Sequence, residues 1–279
     1  MNQTPFSVSL CVYGKDNPQW FETAVESILN QTVPPSEVVL VVDGPVPEAL
    51  DRVIQKYEQN PLFQVCRLPQ NQGHGNARRK GLSLCSHELV ALMDADDISL
   101  PDRFEKQLRA FAQLDADIVG GMITEFVDTP DNIVAQRLVP LDHGDICRYM
   151  KKRCPMNQVT VMFRKSSVEK AGGYLDWHND EDYYLWLRMY LKNMRFANVP
   201  DVLVDVRVGK DMYQRRGGKE YFLSEAKLQK YMLDQKIIDV GIFLINVGKR
   251  FIVQILLPNK LRGWVFKKFA RNLKTRIQK

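Results

Sequence analysis

The chain has 279 residues, with 39 Lys and Arg against 33 Asp and Glu, a formal net charge of +6. Ten of the basic residues and no acidic residue fall between Val240 and Lys279, so the residues before Val240 carry a net charge of −4. This excludes a nucleic-acid-binding body and points to one anionic surface met by the C-terminal stretch. Hydrophobic content of 45% and charged content of 26% exclude wholesale disorder. The length allows one large α/β domain or two small ones.

The five cysteines (Cys11, Cys66, Cys85, Cys147, Cys154) show no C-x-x-C spacing and leave one unpaired in any disulfide scheme. With no charged-then-apolar N-terminal leader, the expected compartment is the reducing cytoplasm. The uncharged-by-Lys/Arg intervals Lys236 to Lys249 and Arg250 to Lys260 hold twelve and nine residues. A bilayer span needs about 20 apolar residues, so neither is expected to cross.

Taken in chain order, the first half alternates. Phe6 to Tyr13 reads as a strand, and Trp20, Phe21, Ala24, Val25, Ile28 and Leu29 recur at helical spacing behind Asn17-Pro18, an N-cap and N1 pair. Glu37 to Val42 reads as a strand stopped by Asp43-Gly44-Pro45. A helix near Pro47 to Glu58 and a strand at Phe63 to Leu68 follow, then a polar loop (NQGHGN), a short helix and the strand Glu88 to Met93. Strands apolar throughout, alternating with helices, describe a parallel sheet covered on both faces. Ligands gather beyond the carboxyl ends of such strands, which picks out Tyr13, Asp43 and Asp94.

After Val119 the pattern predicts a hairpin (Met122 to Val127, Ile133 to Val139), a strand Thr160 to Phe163, and helices at about Asp142 to Lys152 and Asp180 to Leu191. No Pro/Gly/Ser linker intervenes, so residues 1–217 are expected to form one catalytic domain. Residues 218–279 are expected to form a helical extension, helical from Gly218 to Pro258 and again from about Lys260 to Thr275.

The densest chemical signal is Met93-Asp94-Ala95-Asp96-Asp97, followed by Ser99-Leu100-Pro101-Asp102-Arg103. Three carboxylates within four residues repel unless solvated or neutralised by a cation. At a strand end, a hard divalent ion bound through oxygen is the economical neutraliser. The plainer alternative is an acidic turn in which Asp97 or Ser99 caps the next helix. An EF-hand is excluded, because Ser99 stands at the position that needs Gly.

Asp43 reads either as a turn former or as an acceptor facing a base or ribose. The loop Asn71-Gln72-Gly73-His74-Gly75-Asn76-Ala77-Arg78 leads into a helix start with a cation one turn in, which suits a phosphate. It is neither a Rossmann fingerprint nor a Walker loop. Asn179-Asp180-Glu181-Asp182 opens a helix, where acidic residues favour the macrodipole; an Asp there beside a cleft could also take a proton from a hydroxyl. The four histidines lack paired metal spacing and no G-x-S-x-G elbow occurs, which argues against zinc enzymes and acyl-transfer hydrolases.

In order and spacing, these pieces resemble the family 2 glycosyltransferases of the GT-A fold: VYG closing the first strand, VVDG at Asp43, NQGHGNARRKG, MDADDISLPDRF and NDEDYYLWLRM. The match covers roughly residues 5–205, and bacterial enzymes building surface polysaccharides are the most similar. The resemblance implies a mixed, mainly parallel sheet flanked by helices and an inverting transfer from a nucleotide-diphosphate sugar, UDP-linked, to a glycan or lipid-linked acceptor. It further implies Cys11 and Tyr13 in the nucleotide pocket, Asp43 at the base, and Asp96 with Asp94 or Asp97 holding ribose and Mn²⁺ or Mg²⁺. Arg78, Arg215 and Arg216 would face phosphate oxygens. Asp182 would be the general base, with Glu181 second to it. Cys11 and Gly14 stand where Pro and Asn are commoner in the family, and Arg79 where Asn is. The Q-x-x-R-W motif of processive members is absent, which implies one sugar per encounter.

From Lys260 at 100° per residue, Leu261, Val265, Phe266, Phe269 and Leu273 share one arc, and Lys260, Lys267, Arg271 and Lys274 the opposite one. That suits a helix lying in an anionic membrane surface, and equally one docked on the domain. The acceptors implied by the resemblance favour the first, with the protein peripheral on the inner face of the cell membrane. Two rival readings are a sugar-nucleotide pyrophosphorylase and a non-catalytic sugar-binding scaffold. The first lacks its glycine-rich basic loop after strand one, and the second would tolerate loss of acidic groups that are all present.

Overall fold

The structure is a computed structural model and describes residues 4–209, 217–258 and the backbone of 272–273. Arg215, Arg216 and the amphipathic helix expected from Lys260 onward lie outside these residues. At Asn272–Leu273, where that helix was expected to continue, the backbone is instead a short strand.

β1 (Phe6–Tyr13), β2 (Glu37–Asp43), β3 (Phe63–Arg67) and β4 (Leu89–Met93) are mutually parallel in the order β3-β2-β1-β4. Alternate residues of β2 explain its uninterrupted apolar run. Val38, Leu40 and Val42 face one hydrophobic core, while Val39 and Val41 face the other. With both faces covered, the middle of the strand is apolar at every position from Val38 to Val42.

The first core is closed by α1 (Pro18–Leu29) and α2 (Glu48–Glu58), the second by α3 (His74–Leu84). Asn17 caps α1 as expected, its side chain accepting from Gln19 N at 2.9 Å and Trp20 N at 3.2 Å, with Pro18 at the first helical position. Gly44 ends β2 at φ +87°, and a Cβ there would lie 2.5 Å from Asn71 N. Only glycine lets the 70–73 loop approach the strand end this closely.

Beyond β4 the sheet becomes mixed. β5 (Ile98–Ser99), α4 (Arg103–Gln113), β6 (Ile118–Phe126), β7 (Ile133–Arg137), α5 (His143–Met150) and β8 (Met162–Arg164) follow, with β8 antiparallel to both β4 and β6. β6 and β7 form the expected antiparallel hairpin. The strand expected at Thr160 starts later, because Gln158–Thr160 is a 3₁₀ turn. Its Thr160 hydroxyl donates to Asn157 O at 2.7 Å and accepts from Gly121 N at 3.0 Å.

α6 (Lys165–Lys170) and α7 (Glu181–Leu191) lead to β9 (Phe196–Arg207), which is parallel to β6 and antiparallel to β5. α8 (Lys219–Asp234) and α9 (Val240–Phe251) make the helical extension, interrupted at 235–239 and continued by a π turn over Ile252–Leu256. β10 (Asn272–Leu273) is antiparallel to β7. Among the described residues no helix is long and apolar enough to cross a membrane.

Candidate active site

The sheet delivers three sets of side chains to one edge: those ending β1, β2 and β4. β4 owes its exact end to Arg103, which is wholly buried and donates from Nη2 to Leu92 O at 2.7 Å and from Nε to Gln107 Oε1 at 3.1 Å. Burial lowers the Arg103 guanidinium to about 9, opposed by the charges of Asp94 and Asp97. Neither Asp97 nor Ser99 caps α4, so the plain capping role fails. Asp97 Oδ1 accepts from Arg207 N at 2.8 Å, and Ser99 Oγ accepts from Gln31 Nε2 at 3.2 Å.

The acidic residues differ in exposure and so in chemistry. Asp94 and Asp96 are half-buried, and Asp97 is buried. Asp96 is raised to about 6, first by burial and then by the neighbouring Asp94 and Asp16 carboxylates. Burial, then Asp96 and Asp94, push Asp97 well above the usual range. Asp16 is itself raised to about 6 by burial, with Asp94 adding, and its Oδ2 accepts from Tyr13 N at 2.9 Å. Asp16 is thus a fourth carboxylate facing the group, which the sequence reading missed because it stands outside any motif.

Two expected nucleotide contacts are occupied by the protein itself. Asp43 is buried, and its oxygens accept from Gln72 N at 2.7 Å and Gly73 N at 3.1 Å. Its carboxylate therefore shapes the loop entering α3. Arg78, set against a phosphate in the sequence reading, is buried and donates to Asp94 Oδ1 from Nη2. Its position in α3's first turn and a half points it under the sheet edge rather than out of it. Cys11 lies beside this pair, its thiol pushed up to about 12 by burial. Tyr13, at the end of β1, is exposed at the same edge.

From Arg78 the polar network fans toward α7. Arg78 Nε lies 3.1 Å from His74 Nε2, and His74 Nδ1 lies 2.9 Å from Glu181 Oε1. An Nε2 that accepts from Arg78 leaves Nδ1–H as the donor to Glu181. Gln158 lies on the other branch. With its amide turned to satisfy both neighbours, its oxygen lies 3.1 Å from Arg78 Nε and shares that single N–H with His74, and its nitrogen donates to Asp182 Oδ2 at 3.2 Å. Neither relay was found from sequence, since a lone His and a lone Gln in a turn carry no spacing signal.

The two α7 acids end up electrostatically opposite. For Glu181, burial pushes upward, but the His74 hydrogen bond, a backbone N–H and the Arg78 charge outweigh it and hold the carboxyl below the usual range. Asp182 is raised to about 6 by burial and by the Glu181 charge, against the Tyr183 N–H, Arg137 and Arg78. Asp182 Oδ1 accepts from Tyr183 N at 2.6 Å. A carboxylate near 6 is the better proton acceptor of the two at neutral pH.

A second described cation at the acidic turn, besides Arg78, is Arg207 at the end of β9. Its Nε donates to Asp96 O at 3.1 Å, and its guanidinium stacks over Trp20 and Phe126, 4.6 Å from each ring centroid. The sequence reading passed over it in favour of Arg215 and Arg216, which lie outside the described residues.

Among the described residues no three His, Cys, Asp or Glu side chains converge as a ready-made metal cage. The donor set nonetheless fits Mn²⁺ or Mg²⁺. Such ions are held by one or two carboxylates with substrate phosphates and water completing the shell, and Asp94 and Asp96 are carboxylates burdened by mutual repulsion that a cation would relieve.

The glycosyl transferase family 2 model matches residues 7–171. The chain is 36% identical to the UDP-Gal:α-D-GlcNAc-diphosphoundecaprenol β-1,3-galactosyltransferase of Escherichia coli, over 97% of this chain and 98% of that one. It is 37% identical to the amylovoran biosynthesis glycosyltransferase AmsE of Erwinia amylovora, over 94% and 98%. In fold it is similar to Staphylococcus aureus TarS 1–349 in complex with UDP-GlcNAc, with TM-score 0.66 and 16% identity, over 94% of this chain and 78% of that one. By its sequence, over nearly the whole length of its relatives, the chain belongs to glycosyl transferase family 2.

Proposed function

We propose that this protein is an inverting glycosyltransferase that moves one sugar from a UDP-sugar to a hydroxyl of a lipid-linked glycan during surface-polysaccharide synthesis. The observation that carries the reading is Asp182, held at the start of α7, linked to Asp94 through Gln158 and Arg78, and raised to about 6 by burial and the Glu181 charge. Asp182 takes the proton of the acceptor hydroxyl as that oxygen attacks the anomeric carbon from the face opposite the departing diphosphate. Its two oxygens stay oriented by Tyr183 N and Gln158.

Asp94 and Asp96 would hold Mn²⁺ or Mg²⁺, with Asp97 anchoring the turn to β9. A bound ion supplies neutralisation of the charge on the leaving diphosphate. Tyr13 and Cys11 border the nucleotide at the end of β1, and Asp43 orders the loop beside it. Arg207 adds positive charge at the acidic turn.

A membrane role is supported by α9 and the π turn. Val240, Leu244, Ile245, Ile252 and Leu256 are each more than half exposed, and the stretch Val240 to Lys279 carries ten cations and no acid. An exposed apolar face followed in sequence by a basic stretch suits an anionic lipid surface, which would bring a lipid-linked acceptor to a cytoplasmic enzyme peripheral on the inner membrane. The E. coli relative's name specifies UDP-Gal and a GlcNAc-diphospholipid, and these are the first substrates to try. Incubation of UDP-[³H]galactose, Mn²⁺ and a synthetic GlcNAc-diphospholipid should label the lipid. UDP-GlcNAc, UDP-glucose and GDP-mannose run in parallel. No acceptor-dependent transfer from any UDP-sugar would overturn the proposal.

A further inference from the structure

We infer that Gln158 is a positioning residue that orients Asp182 for proton abstraction and separates it from Arg78 by one neutral amide. The inference rests on Asp182 being the base, as proposed above.

Arg78 is a buried cation with acidic groups on two sides. On one it is joined directly to Asp94. On the other it reaches α7 through intervening side chains, His74 toward Glu181 and the neutral amide of Gln158 toward Asp182. A guanidinium bonded straight to a carboxylate favours its charged form by about 1–3 pK units. Asp182 in such a pair would be held ionised and would be a weak proton acceptor.

An amide avoids this. It offers an acceptor to the guanidinium and a donor to the carboxylate in one planar unit, with no charge of its own. Asp182 is therefore bonded and aimed, yet left near 6. The other charged and titratable groups facing it are Glu181 and Asp180 on its own element, Arg137 on β7, Tyr174, and Cys154.

The position of Gln158 is itself fixed. It opens the 3₁₀ turn whose last residue, Thr160, receives Gln107 Nε2 at its carbonyl at 2.7 Å and Gly121 N at its hydroxyl at 3.0 Å. Asn157, just before it, donates to Gly121 O at 2.8 Å. A polar group on so constrained a turn can hold a base to within the tolerance that proton transfer needs. Because Arg78 also holds Asp94, the same turn sets the base in register with the donor edge.

The test compares Gln158→Leu and Gln158→Glu, with Asp182→Asn as control. Glutamate keeps an acceptor for Arg78 but has no donor for Asp182 at neutral pH. Both variants should lose kcat by roughly 10–100-fold, while the KM for UDP-galactose, the affinity for UDP with Mn²⁺ and the thermal midpoint stay near those of the unaltered protein. In Gln158→Glu the acid limb of kcat should also move to higher pH, since a second carboxylate then faces Asp182. Near-normal kcat in Gln158→Glu alone would show that the residue serves only Arg78 and would overturn the inference; normal kcat in both would do the same. If Asp182→Asn itself retains full turnover, it is the assignment of the base that fails.

Discussion

His74, the first residue of α3, and Glu181, the first of α7, meet at 2.9 Å between Nδ1 and Oε1. Two helix starts a hundred residues apart are thereby pinned together, and Glu181 is left with an occupied, stabilised carboxylate. The neighbouring Asp182 has no histidine contact of this kind; its oxygens accept from Tyr183 N and the Gln158 amide.

This division predicts unequal effects of removing the two acids. Asp182→Asn should lower transfer by about 10²–10⁴-fold, with UDP-sugar binding by calorimetry unchanged. Glu181→Gln should cost roughly tenfold or less, because the helix contact weakens while the base remains. The reverse order in a rate comparison would assign the base to Glu181.

The pH profile follows from the same carboxyl. Asp182 accepts a proton only when ionised, and it is raised to about 6. The kcat should therefore fall about tenfold per pH unit below 6 and level off above it. A profile flat from pH 5 to 8 in steady-state assays would contradict this.

Arg78→Leu tests the buried end of the network. Removing one partner of a buried pair leaves the other uncompensated, a loss of about 3–5 kcal/mol. Asp94 keeps a third of its side-chain surface in solvent, which sets the expectation at the lower end. The midpoint of thermal unfolding should drop by several degrees. Adding Asp94→Asn to Arg78→Leu should recover part of the loss, since the orphaned carboxylate is then gone.

Metal removal should separate donor binding from folding. Chelation with EDTA should weaken UDP-sugar affinity at least tenfold while circular dichroism stays the same, and Asp96→Asn should abolish the Mn²⁺ response. Retained Mn²⁺ enhancement in Asp96→Asn would remove that residue from the set.

The exposed apolar face offers a prediction apart from chemistry. The triple change Leu244→Gln, Ile245→Gln, Leu256→Gln should reduce sedimentation with phosphatidylglycerol vesicles by roughly tenfold or more. Transfer to a short-chain, water-soluble acceptor should be unaffected. Equal sedimentation would place membrane contact elsewhere or nowhere.

Much of this arrangement was legible in the sequence. Periodicity located β1 to β4 and the helices between them, because the central strands are covered on both faces and run mostly apolar, and Asn17-Pro18 announces a helix start by its own chemistry. The rule that ligands gather at strand ends placed Tyr13, Asp43 and Asp94 on one edge, and the MDADD run marked a cation-seeking turn. The uneven charge, a body at −4 and a stretch of ten cations, was likewise visible without coordinates.

What only the tertiary structure decided is which partner each charged group meets. Asp43 turned inward to the Gln72 and Gly73 amides, Arg78 to Asp94, and Asp97 to Arg207 N, partners 16 to 110 residues away along the chain. Asp16 and Gln158 entered the site with no motif to announce them, and His74 and Arg207 with no role assigned from sequence. Local sequence sets a residue's type and its place in a strand or helix, but the charge state of a carboxylate depends on the dielectric and the donors around it. Those come from distant segments, so the difference between Glu181 and Asp182, adjacent in the chain, exists only once the chain has folded.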